Sequence, residues 1–271
     1  MTPLEFDRIA QFFDGYTRQF VSSAADPAPH RLKIEHTRRV CANIEYLCKA
    51  LNKDENTLFT AKTSALLHDI GRFIQYDTFG TFSDRISANH AVLGVRVIHE
   101  HRLLNPLTRT EKSRIIKAVA LHNVLSLHPR LDPDTLWLTR LLRDADKMDI
   151  LKVMTDLYLH NPQDSEGYIT WDLKDNGQMS DELIQRVFNK EMIDNTTLTS
   201  LNDLKLLQIS WIFDLNFEPA LKRVAELGYI PGIISTLPRS AKIERLLEFT
   251  THFLEQGIPC KGRTLEKTMA E

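Results

Sequence analysis

The chain has 271 residues, 42% hydrophobic and 26% charged, with a formal net charge of −2. That length buries a substantial core, and the charge balance excludes a broad nucleic-acid or anionic-membrane binder, which needs an excess of Lys and Arg. No run nears the roughly 18 apolar residues of a membrane span. The acids within MTPLEFDRIAQFF make that stretch a poor signal peptide. Cys41, Cys48 and Cys260 form no C-x-x-C pair and read as reduced packing residues. A cytoplasmic protein is the expectation.

Helical periodicity dominates from residue 32 onward. Segment 32–51 puts His36, Val40, Asn43, Leu47 and Leu51 on one stripe, and segment 57–70 forms a second helix ended by Gly71. Residues 71–88 are mixed and read as a loop. A helix runs from Asn89 through His90, Gly94 and Val97 until Asn105-Pro106 stops it. Segment 111–125 aligns Ile115, Val119 and His122. Asp132-Pro133-Asp134 opens a long helix whose stripe is Leu142, Asp146, Ile150 and Val153.

A polar connector over 163–179 has room for a short extended piece. Helices are then expected at 180–193, 199–216 and 219–227, a turn at Tyr229-Ile230-Pro231-Gly232, and a last helix at 240–255. No strand period or repeat is found, so the fold class is all-α.

Five of these segments put imidazole or carboxylate groups where an apolar face should continue. They are His36, His68 with Asp69 beside it, His90, His122 and Asp146. One such histidine is ordinarily a hydrogen-bonded core residue. A carboxylate on a core stripe is costlier to bury unless it meets a cation or another partner, and six groups together share one explanation, convergence on metal. Their donors suit Mn, Fe, Co, Ni or Zn. Successive helical positions point about 100° apart, so His68 and Asp69 can share a site only near a helix end.

The order His36, His68-Asp69, Asp146, with ALLHDIGR and DADKMD around them, resembles the H…HD…D signature of the HD superfamily of metal-dependent phosphohydrolases. His90 in NHAVLG and His122 in ALHN stand where its binuclear branches carry two further histidines. Asn123 replaces the second histidine of the HD-GYP branch, and no G-Y-P occurs nearby. The resemblance spans about residues 30–155. It implies an HD-type helical core over 1–160, with an N-terminal extension, and a C-terminal helical extension over 161–271 packed on that core.

It further implies two divalent metal ions. One would take His36, His68, Asp69 and Asp146; the other would take His90 and His122 and share Asp69. Asp144 competes with Asp146 for the ligand role, and the stripe and motif favour Asp146. The implied activity is cleavage of a phosphomonoester or phosphodiester of the nucleotide or dinucleotide class by a metal-bound hydroxide, with Asp69 and Arg72 catalytic. Arg72 either contacts the phosphate or is a solvated helix-end charge; Lys147 either meets the phosphate or pairs with Asp149. The alternatives are an HD-type diiron oxygenase acting on a small organic or phosphonate substrate, and a sensor without activity. Trp171, Trp211 and Phe213 read first as core, with a substrate face as the second reading. The expected partner is a small-molecule phosphate ester or nucleotide, with no stable nucleic-acid complex and no membrane; a homodimer stays open.

Overall fold

Side chains that accept hydrogen bonds from free backbone N–H groups start several of the helices around the site. The computed structural model describes residues 1–160, 170–171 and 173–257. Thr2 and Glu5 cap α1 (Pro3–Ser23) reciprocally. After α2 (Ala28–Ala50), Asp54 caps α3 (Glu55–Leu67). Then α4 (Gly71–Phe79) leads into a loop, and Asn89 caps α5 (His90–Glu100). Thr108 and Glu111 form a second reciprocal cap on α6 (Arg109–Leu121), and α7 (Pro133–His160) follows. The C-terminal part holds α8 (Asp181–Phe188), α9 (Leu201–Ser210), α10 (Glu218–Glu226), α11 (Tyr229–Ser235) and α12 (Ala241–Gln256). Among the described residues there is no strand, and no helix is long and apolar enough to cross a membrane. The fold is all-α.

Two apolar clusters position the site. The first joins Val40, Ile44 and Leu47 of α2 with Leu142, Leu151 and Met154 of α7, and continues into the C-terminal helices through Leu207, Val224 and Ile233. The second joins Phe13 of α1 with Leu67, Ile70, Phe73, Ile98 and Ile115. Because α2, α3, α6, α10 and α11 all pack on α7, it is enclosed on nearly every side. Its Arg143, Asp144, Lys147 and Asp149 are buried, and burial obliges each to find a partner.

Several boundaries differ from the sequence expectation, each for a physical reason. Residues 3–23, unassigned by periodicity, form α1. Gly71 does not end a helix; it opens α4, so residues 71–79 are helical and only the remainder of 71–88 is loop. A Cβ at position 71 would lie 2.2 Å from the His90 carbonyl oxygen and 2.4 Å from the Gly94 nitrogen. Glycine is there for close approach, not for a left-handed turn. The expected turn at 229–232 is α11. Its left-handed residue is Gly228, at φ 66°, and Pro231 lies in the first turn, where its missing N–H costs little. The expected helix 199–216 is α9 plus a 3₁₀ turn over Trp211–Asp214. There Asp144 takes the N–H groups of Asn216 (2.8 Å) and Phe217 (2.9 Å) and draws the chain out of the helix.

The connector shows no strand in its described part, while residues 163–169 and 172, like Cys260, lie outside the described residues. Cys41 and Cys48 are free thiols.

Two glycine substitutions separate close contact from ordinary helix propensity. Gly71→Ala is expected to destabilise the fold by about 1–3 kcal/mol, since backbone must move to admit the methyl. Gly15→Ala, where a Cβ meets nothing within 4 Å, is expected to gain up to about 1 kcal/mol. Chemical denaturation midpoints decide between them; equal midpoints for the two variants would remove the close-contact account.

Candidate metal centre

The six side chains singled out in the sequence come together. His36 comes from the middle of α2 and Asp146 from the middle of α7; His90 is the first residue of α5, and His122 caps the C-terminus of α6. His68 caps α3, and Asp69 lies in the turn joining α3 to α4. That break in the helix lets neighbouring residues face one point despite the angle that a continuous helix would impose.

The contacts fall into two halves joined by Asp69. His36 Nε2 lies 3.2 Å from His68 Nε2 and 3.1 Å from Asp146 Oδ1. Both imidazole Nε2 atoms are 3.6 Å from Asp69 Oδ2. On the other side His90 Nε2 lies 2.9 Å from His122 Nε2. Asp69 Oδ1 is 3.3 Å from His90 Nε2 and 3.9 Å from His122 Nε2.

Each ring is oriented through its other nitrogen. His68 and His122 cap helices, and their Nδ1 atoms donate to carbonyls three residues back, Ala65 (2.6 Å) and Val119 (2.7 Å). His36 Nδ1 donates to Asp149 Oδ2 at 2.7 Å, and Arg39 Nε fixes that carboxylate at 2.6 Å. His90 Nδ1 donates to Asp84 Oδ2 at 2.7 Å. With the ring proton used at Nδ1, each Nε2 presents a lone pair to the centre. Asp146 Oδ1 is buried without a hydrogen-bond donor, so acceptors face acceptors. A divalent cation satisfies such a donor set, and the two groupings His36, His68, Asp146 and His68, Asp69, His122 are compact enough to hold one.

The electrostatics agree with anionic carboxylates and with neutral rings at His68, His90 and His122. Burial opposes ionisation of Asp69, but Lys33, His68, Arg72 and His90 outweigh it and hold the carboxyl well below its usual range. Burial likewise opposes ionisation of Asp146, and the neighbouring His36 and His68 lower it on balance. His68 and His90 are pulled down chiefly by burial. Burial, with His90 and His68 adding to it, takes His122 down to about 3. At His36 burial is overcome by Asp146 and Asp149, and the net direction is upward.

Asp144 turns away from the cluster to the Asn216–Phe217 backbone, leaving Asp146 as the carboxylate that faces His36. Lys147 does not pair with Asp149: its ammonium bonds Asp214, and Asp149 is taken by His36 and Arg39. Arg72 lies in the pocket wall with Nη1 committed to Gln75 (2.8 Å), Asp84 (3.0 Å) and the Phe82 carbonyl. Sequence reasoning missed Asp84, which also receives Asn123 Nδ2 at 3.1 Å, and Asp149. It missed Lys33 as well, whose Nζ is 2.8 Å from Asp69 Oδ2. Lys33 and Arg39 each stand three residues from His36, a helical spacing that could have flagged them. Nothing periodic marks Asp84.

A pocket of about 300 Å³ opens onto Asp69, His90, His122 and Asp146. Trp171 and Trp211 are among its lining residues, whereas Phe213 packs against Phe253 with ring centroids 4.9 Å apart. Its cationic lining comes partly from the core and partly from the loop after α4.

The family model described as HD domain matches residues 34–154. No curated protein and no solved structure matches the chain. The matched span runs from just before His36 to beyond Asp149, so it contains all six converging side chains and both carboxylates that orient a ring. Residues 34–154 are thus those of an HD domain.

Proposed function

We propose that the protein is a metal-dependent phosphohydrolase acting on a small phosphate ester, with nucleotides as the substrate class. One observation carries the reading: four imidazoles whose Nδ1 protons are already given away aim their Nε2 lone pairs at two carboxylates, beside a pocket rich in Lys and Arg. His36, His68, Asp69 and Asp146 would hold one cation, and His90, His122 and Asp69 would hold a second. Mn, Fe, Co, Ni and Zn all suit this N/O set. When bound, such cations supply Lewis acidity that activates water at neutral pH and offsets charge on phosphoryl oxygens.

The protein's own groups do the rest. Asp149 and Asp84 hold His36 and His90 in the tautomer that leaves Nε2 free to ligate. Lys33 donates to Asp69 Oδ2 and keeps the shared carboxylate ionised. Arg72, Arg143 and Lys147 raise the positive potential along the wall while staying paired with Asp84 and Asp214. An anionic substrate is drawn toward the cluster, and the pocket excludes bulk water as it fills. Trp171 and Trp211 offer flat apolar surface to the group that bears the phosphate.

Hydrolysis is expected to require added divalent metal and to run equally well under air and under nitrogen. Assay of phosphomonoester, phosphodiester and nucleotide panels with Mn or Fe checks this. Oxygen uptake coupled to an organic substrate, without phosphate release, would sink the reading.

Metal analysis tests the ligand assignment apart from turnover. His68→Ala is expected to lose cation binding in its half of the site, and His90→Ala to leave one ion per chain where the native protein holds two. Asp149→Asn and Asp84→Asn, which keep the ligands but loosen a ring, are expected to weaken metal binding by about 10–100-fold. Titration with a competing chelator measures that loss, and native affinity in both would refute the ring-orienting role.

A further inference from the structure

The cationic side chains lining the pocket are Lys33, Arg72, Arg85, Arg143 and Lys147. All but one have a carboxylate. Lys33 bonds Asp69 at 2.8 Å, Arg72 bonds Asp84 at 3.0 Å, and Arg143 (at 2.6 Å) and Lys147 meet on Asp214. Arg85 is exposed and makes no ion pair or side-chain hydrogen bond with any described residue. A paired cation has part of its charge offset by its own carboxylate, so an incoming anion must share it with that partner. Arg85 carries no such offset.

The loop under Arg85 is held firmly. Gln75, wholly buried, reaches across from α4 and places Nε2 within 2.9 Å of Asp84 Oδ1, 2.9 Å of Ser87 Oγ and 2.8 Å of the Ala88 carbonyl. Ser87 Oγ donates back to the Ser83 carbonyl at 2.8 Å, and Ile86 N donates to the same oxygen at 3.3 Å. Asp84 is fixed from within by His90 and Arg72. The backbone is therefore pinned on both sides of residue 85, while the guanidinium stands free at the pocket. A group mounted in this way loses little freedom when it binds.

We propose that Arg85 grips the anionic oxygens of the substrate's phosphate at the mouth of the pocket, a specificity residue for the phosphohydrolase reading on which this rests. A guanidinium is permanently charged and offers two parallel N–H groups to a phosphate edge. Asp84 faces inward on His90 and Arg85 outward on the substrate, so one short loop serves both the second half of the cluster and the anion it acts on.

The test uses the full chain loaded with Mn and inorganic phosphate as the probe, with calorimetry for affinity and elemental analysis for bound metal. Arg85→Ala is expected to weaken phosphate binding by about tenfold to a hundredfold with metal content unchanged. Arg85→Lys, which keeps the charge and loses the fork, is expected to fall between it and the native chain. With a turned-over ester, KM should rise far more than kcat falls. Native phosphate affinity in Arg85→Ala overturns the proposal, as does loss of metal together with phosphate, or failure of the native protein to bind phosphate. Arg85-dependent phosphate binding without hydrolysis of any ester would instead support the grip and defeat the hydrolase reading.

Discussion

A neutral imidazole has one ring proton, and each histidine of this cluster gives it to a group outside the centre. His36 and His90 give it to carboxylates, and His68 and His122 give it to backbone carbonyls three residues back at the end of a helix. Each half of the cluster thus has one ring set by a side chain and one set by helix geometry. The inner nitrogens can then only accept, and they face carboxylate oxygens that also only accept. A buried polar atom without a partner costs about 1–3 kcal/mol, and here several share one small space. A divalent cation among them would convert that liability into bonding, which would tie the fold around residues 34–154 to its chemistry.

The same argument explains α7. Enclosed over residues 143–149, it sets each charged side chain there against a specific neighbour. Asp146 faces His36, Asp149 orients His36, Arg143 and Lys147 share Asp214, and Asp144 takes two backbone N–H groups at Asn216 and Phe217. Burial pushes Asp144 up to about 6 even against those bonds. Successive residues of one helix thus secure the cluster, a ring beside it and the segment that carries Trp211 into the pocket. The C-terminal helices are joined to the site through this stretch as well as through apolar packing.

The sequence revealed most where a polar residue interrupts an apolar stripe. His36, His90, His122 and Asp146 were legible for that reason, and the preference for Asp146 over Asp144 followed from the stripe through Leu142 and Ile150. Periodicity failed where the determinant is a contact between distant segments. Gly71 has the look of a helix terminator because its true constraint, the approach of the His90 carbonyl, involves a residue 19 positions further on. Residues 229–232 look like a turn because Pro and Gly favour turns, yet Pro is equally at home in a first helical turn. Asp84, Gln75 and Arg85 gave no signal, since a loop has no period against which an oddity stands out. The pairing of Lys147 with Asp149 was the local guess, and a partner in the C-terminal segment won.

The two halves of the cluster rest on supports of unequal kind. Asp149, which orients His36, lies on α7 with 1% of its side chain exposed and is clamped by Arg39. Asp84, which orients His90, lies on a loop with 25% of its side chain exposed, and its stability there comes from Gln75, Arg72 and Asn123. Residues 80–89 are held chiefly by hydrogen bonds, whereas α2 and α7 are held by apolar packing as well. The half containing His36 therefore shares the cooperativity of the main core, whereas the half containing His90 depends on one hydrogen-bonded loop. That loop also carries Arg85 at the pocket. Arg85 and Asp84 are thus neighbours on one short segment, the first at the pocket and the second on His90.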